Sequence, residues 1–401
     1  MKSPKIGLNL TIFCKKMLRQ LILIIIPIYI ADIETAAKAP PTSLSDSLSM
    51  TKSTFSLFLV LLILSVVSLL TGAADVTMRD ILALDAHAVD TLVISRLPRL
   101  LAILCAGAGM AIAGLLMQQL CANKFVSPTT GATISSAQLG ILVALLFFPD
   151  SNLWERAFFA FAAALAGTWI FVWFVIRMPM KDVVMVPLVG IMFGNVIGGV
   201  TNFLAFKYDM VQALQTWLVG HFSLVLKGNY ELVYLVAPLI VLSFIYAKQF
   251  NIVGMGKDFS KNLGVPYGVV LLGGLSIAAM MTASVVTVVG AISYIGLIVP
   301  NVVSLFKGDD LRATMVDTAL TGAVFVLACD LVGRSLIAPY ELPIELIVGS
   351  LGSLLFIGLI FYRLRFGRRS VGKDTLLKLF GLTRAQNPTV CGSCGTVGNV
   401  R

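Results

Sequence analysis

Side chains able to do chemistry are few in this chain and poorly placed for it. Among 401 residues there are two histidines, His87 and His221, both in polar stretches without a partner at metal-ligand spacing. Cys391-Gly-Ser-Cys394 has the spacing of half a zinc site, but no second Cys/His pair follows, so it reads as part of a tail. Cys105, Cys121 and Cys329 lie in or beside apolar runs, where cysteine behaves as a small hydrophobe, and no disulfide framework is expected. HExxH, GxSxG and the phosphate loop GxxxxGK[ST] are missing. Gly256-Lys257 comes nearest to the last, but Asp258 follows where a hydroxyl would hold magnesium, so the chain is not expected to hydrolyse ATP. Asp330 and Arg334 stand one helical turn apart inside an apolar run, a spacing suited to mutual neutralisation. Without a series of such buried carboxylates, an ion-coupled secondary transporter has little to work with.

The surrounding elements are membrane helices. The chain is 58% hydrophobic and 12% charged, against about 25% charged in a soluble domain. Apolar runs of about 20 residues, each enough to cross a hydrocarbon core of about 30 Å, recur along its length, and no alternating pattern suggests a β-barrel. The length rule gives about ten crossings in an all-α polytopic protein. The formal net charge of +10 sits between these runs, which points to topology rather than nucleic acid. Arg177 and Lys181, then Lys248, Lys257 and Lys261, then Lys307 and Arg312, then Arg363, Arg365, Arg368 and Arg369 fall on alternate loops, which should be cytoplasmic. The opposite loops carry Asp75, Asp80, Asp85, Asp90, Asp150, Asp209 and Glu341.

In chain order, residues 1–50 form an N-terminal extension, basic and then apolar from Leu21 to Ile30, which reads as a signal or anchor or as an upstream start ahead of Met50. The membrane domain covers 51–366, starting with a helix over Phe55 to Thr71. Arg96-Leu-Pro-Arg99 places a proline in the first turn of the next helix, which runs to about Gln119. Gly190, Gly194 and Gly198 repeat at helical spacing and predict a packing or pathway face. Lys207 to Asn229, with Trp217 and His221, is too polar for a crossing and fits an interfacial helix. The interval 250–266, FNIVGMGKDFSKNLGVP, is charged and punctuated by glycine, while Gly296 and Pro300 break the run from Gly290 to Phe306. Residues 367–401 are expected to be a disordered basic tail.

Several of these motifs occur together in the order and spacing of one family. Arg96-Leu-Pro-Arg99, Gly107-Ala-Gly109 and Gly114, the loop from Asn123 to Gly131, Gly256 to Gly264, Gly290 to Pro300, Gly308-Asp309-Asp310-x-Arg312 and Glu341-Leu-Pro343 resemble the permease subunit of ABC importers for iron-siderophores and cobalamin, over roughly Phe55 to Arg365. The resemblance implies that importer permease fold, a homodimer or paired heterodimer with a substrate path along its axis, two cytoplasmic ATP-binding subunits and an external siderophore-binding protein, all at a bacterial inner membrane. It further implies that Asn251 to Pro266 forms coupling helices against the ATPase, with Gly256, Lys257, Asp258, Lys261, Leu263 and Gly264 as candidate contacts or turns. By the same matching, Arg96, Arg99 and Arg334 present cations to carboxylates of the binding protein. No cofactor is implied.

Three departures stand out. Ser260 replaces an alanine, Lys257-Asp258 replaces a more acidic pair, and Asn301 follows Pro300 where many relatives have histidine; the last is similar to permeases for catecholate-type siderophores. The expected function is a transport subunit moving a ferric siderophore inward by alternating access. A cobalamin or heme importer permease and an ion-coupled secondary transporter are the alternatives.

Overall fold

The computed structural model describes residues 44–71, 90, 92–129, 132–177, 185–223, 225, 228, 230–336 and 340–379. His87, Lys181, residues 1–43 and residues 380–401 with Cys391 and Cys394 lie outside the described residues. The helices are α1 (Leu44–Leu70), α2 (Leu97–Leu120), α3 (Thr133–Phe147), α4 (Leu153–Arg177), α5 (Met185–Lys207), α6 (Val211–Leu218), α7 (Val236–Gly254), α8 (Lys257–Asn262), α9 (Tyr267–Val289), α10 (Ile295–Lys307), α11 (Leu311–Leu336) and α12 (Ile344–Leu379). Eight described helices are long and apolar enough to cross a membrane, and α3 and α10 are shorter apolar helices, which together match the expected number of crossings.

Two boundaries differ from the sequence expectation. The first helix already begins at Leu44, inside the stretch assigned to the extension. The last continues to Leu379, so residues 367–379 are helical rather than part of a disordered tail; Arg368, Arg369, Lys373, Leu376, Leu377, Lys378 and Leu379 are good helix formers that need no membrane. The chain divides into two units after Ser353, the second beginning at Leu354 within α12.

In the first unit α2 is the central post. It packs against α7, α9, α10 and α11, and 72% of its spanning window is buried, against 17% for α1 and 22% for α5. Glycine makes this possible at two crossings. A Cβ on Gly107 would strike the backbone of Gly322 in α11, and one on Gly114 would strike the backbone of Gly296 in α10. Helix backbones approach that closely in lipid only where side chains are absent, since packing rather than hydrophobicity drives association there. The turn after α9 is extended instead of helical. Gly290 has φ +94°, Ala291 N donates to Leu218 O at 3.0 Å, and His221 N donates to Val289 O at 3.0 Å. This short parallel bridge satisfies backbone groups that α10 cannot reach.

The interfacial helix expected between Lys207 and Asn229 is α6, eight residues long. Its Leu214 is buried, and Trp217 lies under the Arg156 guanidinium, 5.1 Å from the ring centroid.

Candidate functional site

The polar interval between α7 and α9 folds as a hairpin built on one helical turn and a half. Gly256 (φ +109°) reverses the chain after α7, and Gly264 (φ +73°) closes α8. The closure is a Schellman motif: Val265 N donates to Ser260 O at 2.9 Å and Gly264 N to Lys261 O at 3.0 Å. Asp258 in the first turn and Lys261 in the last complement the helix dipole. Ser260 is fully buried, and its hydroxyl donates to Gly256 O at 2.8 Å, which satisfies the buried group. Lys257, Asp258 and Lys261 are exposed. So are Met255, Phe259 and Leu263, of which Phe259 and Leu263 stand one helical turn apart, an apolar group that the sequence did not single out beyond Leu263.

The base of the hairpin is cross-braced. Gln119 Nε2 at the end of α2 donates to Asn251 Oδ1 at 3.0 Å, and Asn251 Nδ2 donates to Asp310 Oδ1 at 3.1 Å. Asp310 also caps α11 by accepting from Arg312 N at 3.1 Å. Lys124 and Asp309 form an exposed pair at 2.6 Å. Lys307 pairs with Asp317 at 2.6 Å, and Thr54 of α1 donates to the same carboxylate at 2.8 Å. Asp317 was not identified from the sequence, although a carboxylate inside an apolar helix is the signal that could have found it.

Arg99 is twenty positions before Gln119 on α2, about 30 Å along the helix, so the arginine cluster occupies the other end of the first unit. The three arginines expected to meet a binding protein all have partners within the chain. Arg99 donates to Asp330 at 2.8 Å and to both oxygens of Glu341 at 2.9 Å. Arg334 pairs with Asp330 at 2.5 Å and donates to Ser68 Oγ at 2.6 Å and Thr71 O at 3.0 Å. Arg96 is 8% exposed and donates to Leu69 O at 2.6 Å. Burial is the physical reason: an unpaired cation there would keep its desolvation penalty, so each takes a partner within the chain. Arg99 and Glu341, with side chains 14% and 32% exposed, are the members reachable from outside. They line a cavity of about 350 Å³ with Thr216, His221, Ser223 and Asp330.

The glycine face on α5 is divided. Gly190 is buried, and Gly194 faces Ala132 and Ser135 at van der Waals distance, but nothing stands within 4 Å of a Cβ on Gly198. Gly296 and Pro300 are both buried in α10. Pro300 has no N–H for the Gly296 carbonyl, and Gln118 Nε2 donates to that oxygen at 3.0 Å. The expected crossings, the hairpin and the broken helix are therefore joined through α2.

The profile of the FecCD transport family matches residues 60–362. The chain belongs to that family. It is a multi-pass protein of the inner membrane. Its sequence is 45% identical to the petrobactin import system permease protein YclN of Bacillus subtilis over 307 residues, covering 77% of this chain and 97% of that protein. It is 37% identical to the petrobactin import system permease protein FatD of Bacillus anthracis, over 77% of this chain and 91% of that one. The ferric-anguibactin transport system permease protein FatD of Vibrio anguillarum is 34% identical over 77% and 98%. A metal-chelate type ABC transporter solved in an inward-facing conformation superposes with a TM-score of 0.66 at 24% identity, covering 78% of this chain and 99% of that one, a likeness of fold.

Proposed function

We propose that this FecCD member is the permease subunit of an ATP-driven importer that carries a ferric siderophore into the cytoplasm by alternating access. A separate pair of ATP-binding subunits hydrolyses ATP, a second permease subunit completes the pathway, and an external binding protein delivers the chelate. The observation that carries this is the α8 hairpin: an ordered turn, locked by Gly256 and Gly264, that exposes Met255, Phe259 and Leu263 beside Lys257, Asp258 and Lys261. A plain tether between α7 and α9 needs neither a Schellman closure nor an exposed apolar group. Lys248, Lys257, Lys261, Lys307 and Arg312, in or near the helix ends around the hairpin, favour a cytoplasmic placement. The siderophore assignment rests on what the relatives named petrobactin and ferric-anguibactin permeases carry. A cobalamin or heme importer remains the alternative within the same architecture.

Docking of the binding protein is placed at the Arg96, Arg99 and Arg334 end. Since Arg96 and Arg334 are engaged internally, Arg99 with Glu341 is the point at which a partner's carboxylate would compete. Charge pairs of this kind steer association and fix register. Against the ion-coupled alternative, Asp317 and Asp330, the buried carboxylates among the described residues, are neutralised by Lys307, Arg99 and Arg334 rather than left for a coupling ion.

The test is siderophore-dependent ATP hydrolysis by the assembled transporter in liposomes, with Met255, Phe259 and Leu263 replaced together by aspartate. Loss of ATP-binding subunits from the triple variant, with the permease still in the membrane, is expected. Full assembly and uptake in that variant would remove the hairpin from the interface.

A further inference from the structure

Gln118 and Gln119 are adjacent at the end of α2, so their side chains leave the helix about 100° apart and meet different neighbours. Gln118 is 7% exposed and serves α10. Pro300 interrupts the backbone ladder of α10 and orphans the Gly296 carbonyl, and Gln118 Nε2 fills that vacancy at 3.0 Å while lying 3.3 Å from Leu297 O. Asn301 completes the clasp, donating through Nδ2 to Leu297 O at 2.7 Å and to Lys124 O at 2.8 Å in the loop after α2. Gly114 and Gly296 meet with no room for a side chain between them. The interrupted helix is thus fastened to α2 by a side-chain amide in place of its own backbone bond.

Gln119 serves the hairpin. Its amide donates to Asn251 Oδ1 at 3.0 Å, and Gly254, the last residue of α7 before the hairpin, packs so closely on Gln119 that a Cβ would meet its backbone oxygen at 2.8 Å. Asn251 passes the connection on to Asp310, which caps α11 directly after α10.

We propose that Gln118 and Gln119 are positioning residues forming the junction through which displacement of the α8 hairpin reaches the interrupted helix α10. The proposal rests on the hairpin being the ATPase contact. A bond from a side chain to the orphaned carbonyl can be broken and remade without unwinding the helix, whereas a continuous backbone ladder resists bending there. Adjacency on one rigid helix makes the two contacts move together. The test reads a quantity that packing alone would leave unchanged.

That quantity is the amount of ferric chelate imported per ATP hydrolysed by the complete transporter, with its ATP-binding subunits and binding protein, in liposomes. Gln119→Leu is expected to leave subunit assembly intact and ATP hydrolysis within about twofold of the parent, while import per ATP falls about tenfold, the step that 1.4 kcal/mol represents. Gln119→Asn, one methylene shorter, carries the same expectation if the leucine variant does not assemble. Gln118→Leu should lower both import per ATP and the thermal midpoint. Adding Pro300→Ala, which returns an N–H to Gly296, should restore the midpoint. An unchanged import ratio in the Gln119 variants overturns the junction, as does failure of Pro300→Ala to restore Gln118→Leu. Import by the parent protein without any ATP hydrolysis would instead strike the underlying permease assignment.

Discussion

Asp330 joins the two arginines of its cluster, standing between Arg99 and Arg334 with 4% of its side chain exposed. Removing one partner from a buried ionic cluster leaves the others uncompensated, at a cost of about 3–5 kcal/mol. Asp330→Ala is therefore expected to lower the thermal midpoint of the purified protein sharply, and a midpoint within a degree of the parent would show the cluster to be energetically idle. Glu341 is different because it is partly open to solvent and shares Arg99. Glu341→Gln should free Arg99 for a partner's carboxylate and tighten binding-protein association several-fold at low salt, with the gain lost as salt screens it. Weaker association in that variant would assign the pair to folding alone. Only the local part of this cluster was legible in the sequence. Asp330 and Arg334 are a helical turn apart, whereas Arg99 finds its partners across 231 and 242 residues, a contact that helical periodicity cannot express.

Among the elements, the hairpin was the most legible, because its turns demand backbone conformations that glycine alone adopts cheaply. Gly256 and Gly264 both have open space around a would-be Cβ, so substitution there costs conformation rather than contact. A bulky residue costs about 1–2 kcal/mol in the left-handed conformation and about 1–3 kcal/mol in the glycine-only region that Gly256 occupies (φ +109°, ψ 167°), too little to unfold the protein but enough to reshape the turn. Gly256→Val with Gly264→Val is expected to leave the protein in the membrane at normal abundance and to abolish uptake, and parental uptake in that double variant would contradict the coupling role. The broken helix was also visible from Gly296 and Pro300, but its remedy was not. No spacing rule links Gln118 to a carbonyl 178 residues away. The glycine repeat on α5 shows the opposite limit. Three glycines at helical spacing suggested a packing or pathway face, and within the chain Gly194 meets Ala132 and Ser135 while nothing stands within 4 Å of Gly198, because periodicity tells which residues share a face and not what covers it.

At the scale of the whole molecule, composition settled the class, while the centrality of α2 emerged only from packing. That helix carries Arg99 at one end and Gln118 and Gln119 at the other, so the arginine cluster and the hairpin are joined by one buried element. A transporter working by alternating access needs such a connection, since a partner shifts an equilibrium only by its differential affinity for the two states. The energy source is the most direct test. Cells carrying this permease with its ATP-binding subunit either intact or disabled in its phosphate loop, each with and without a protonophore under conditions that hold ATP constant, are assayed for uptake of iron-loaded siderophore. Uptake that vanishes with the disabled ATPase and survives the protonophore is the expected result, and uptake that survives without ATP hydrolysis but collapses with the ion gradient would contradict the account.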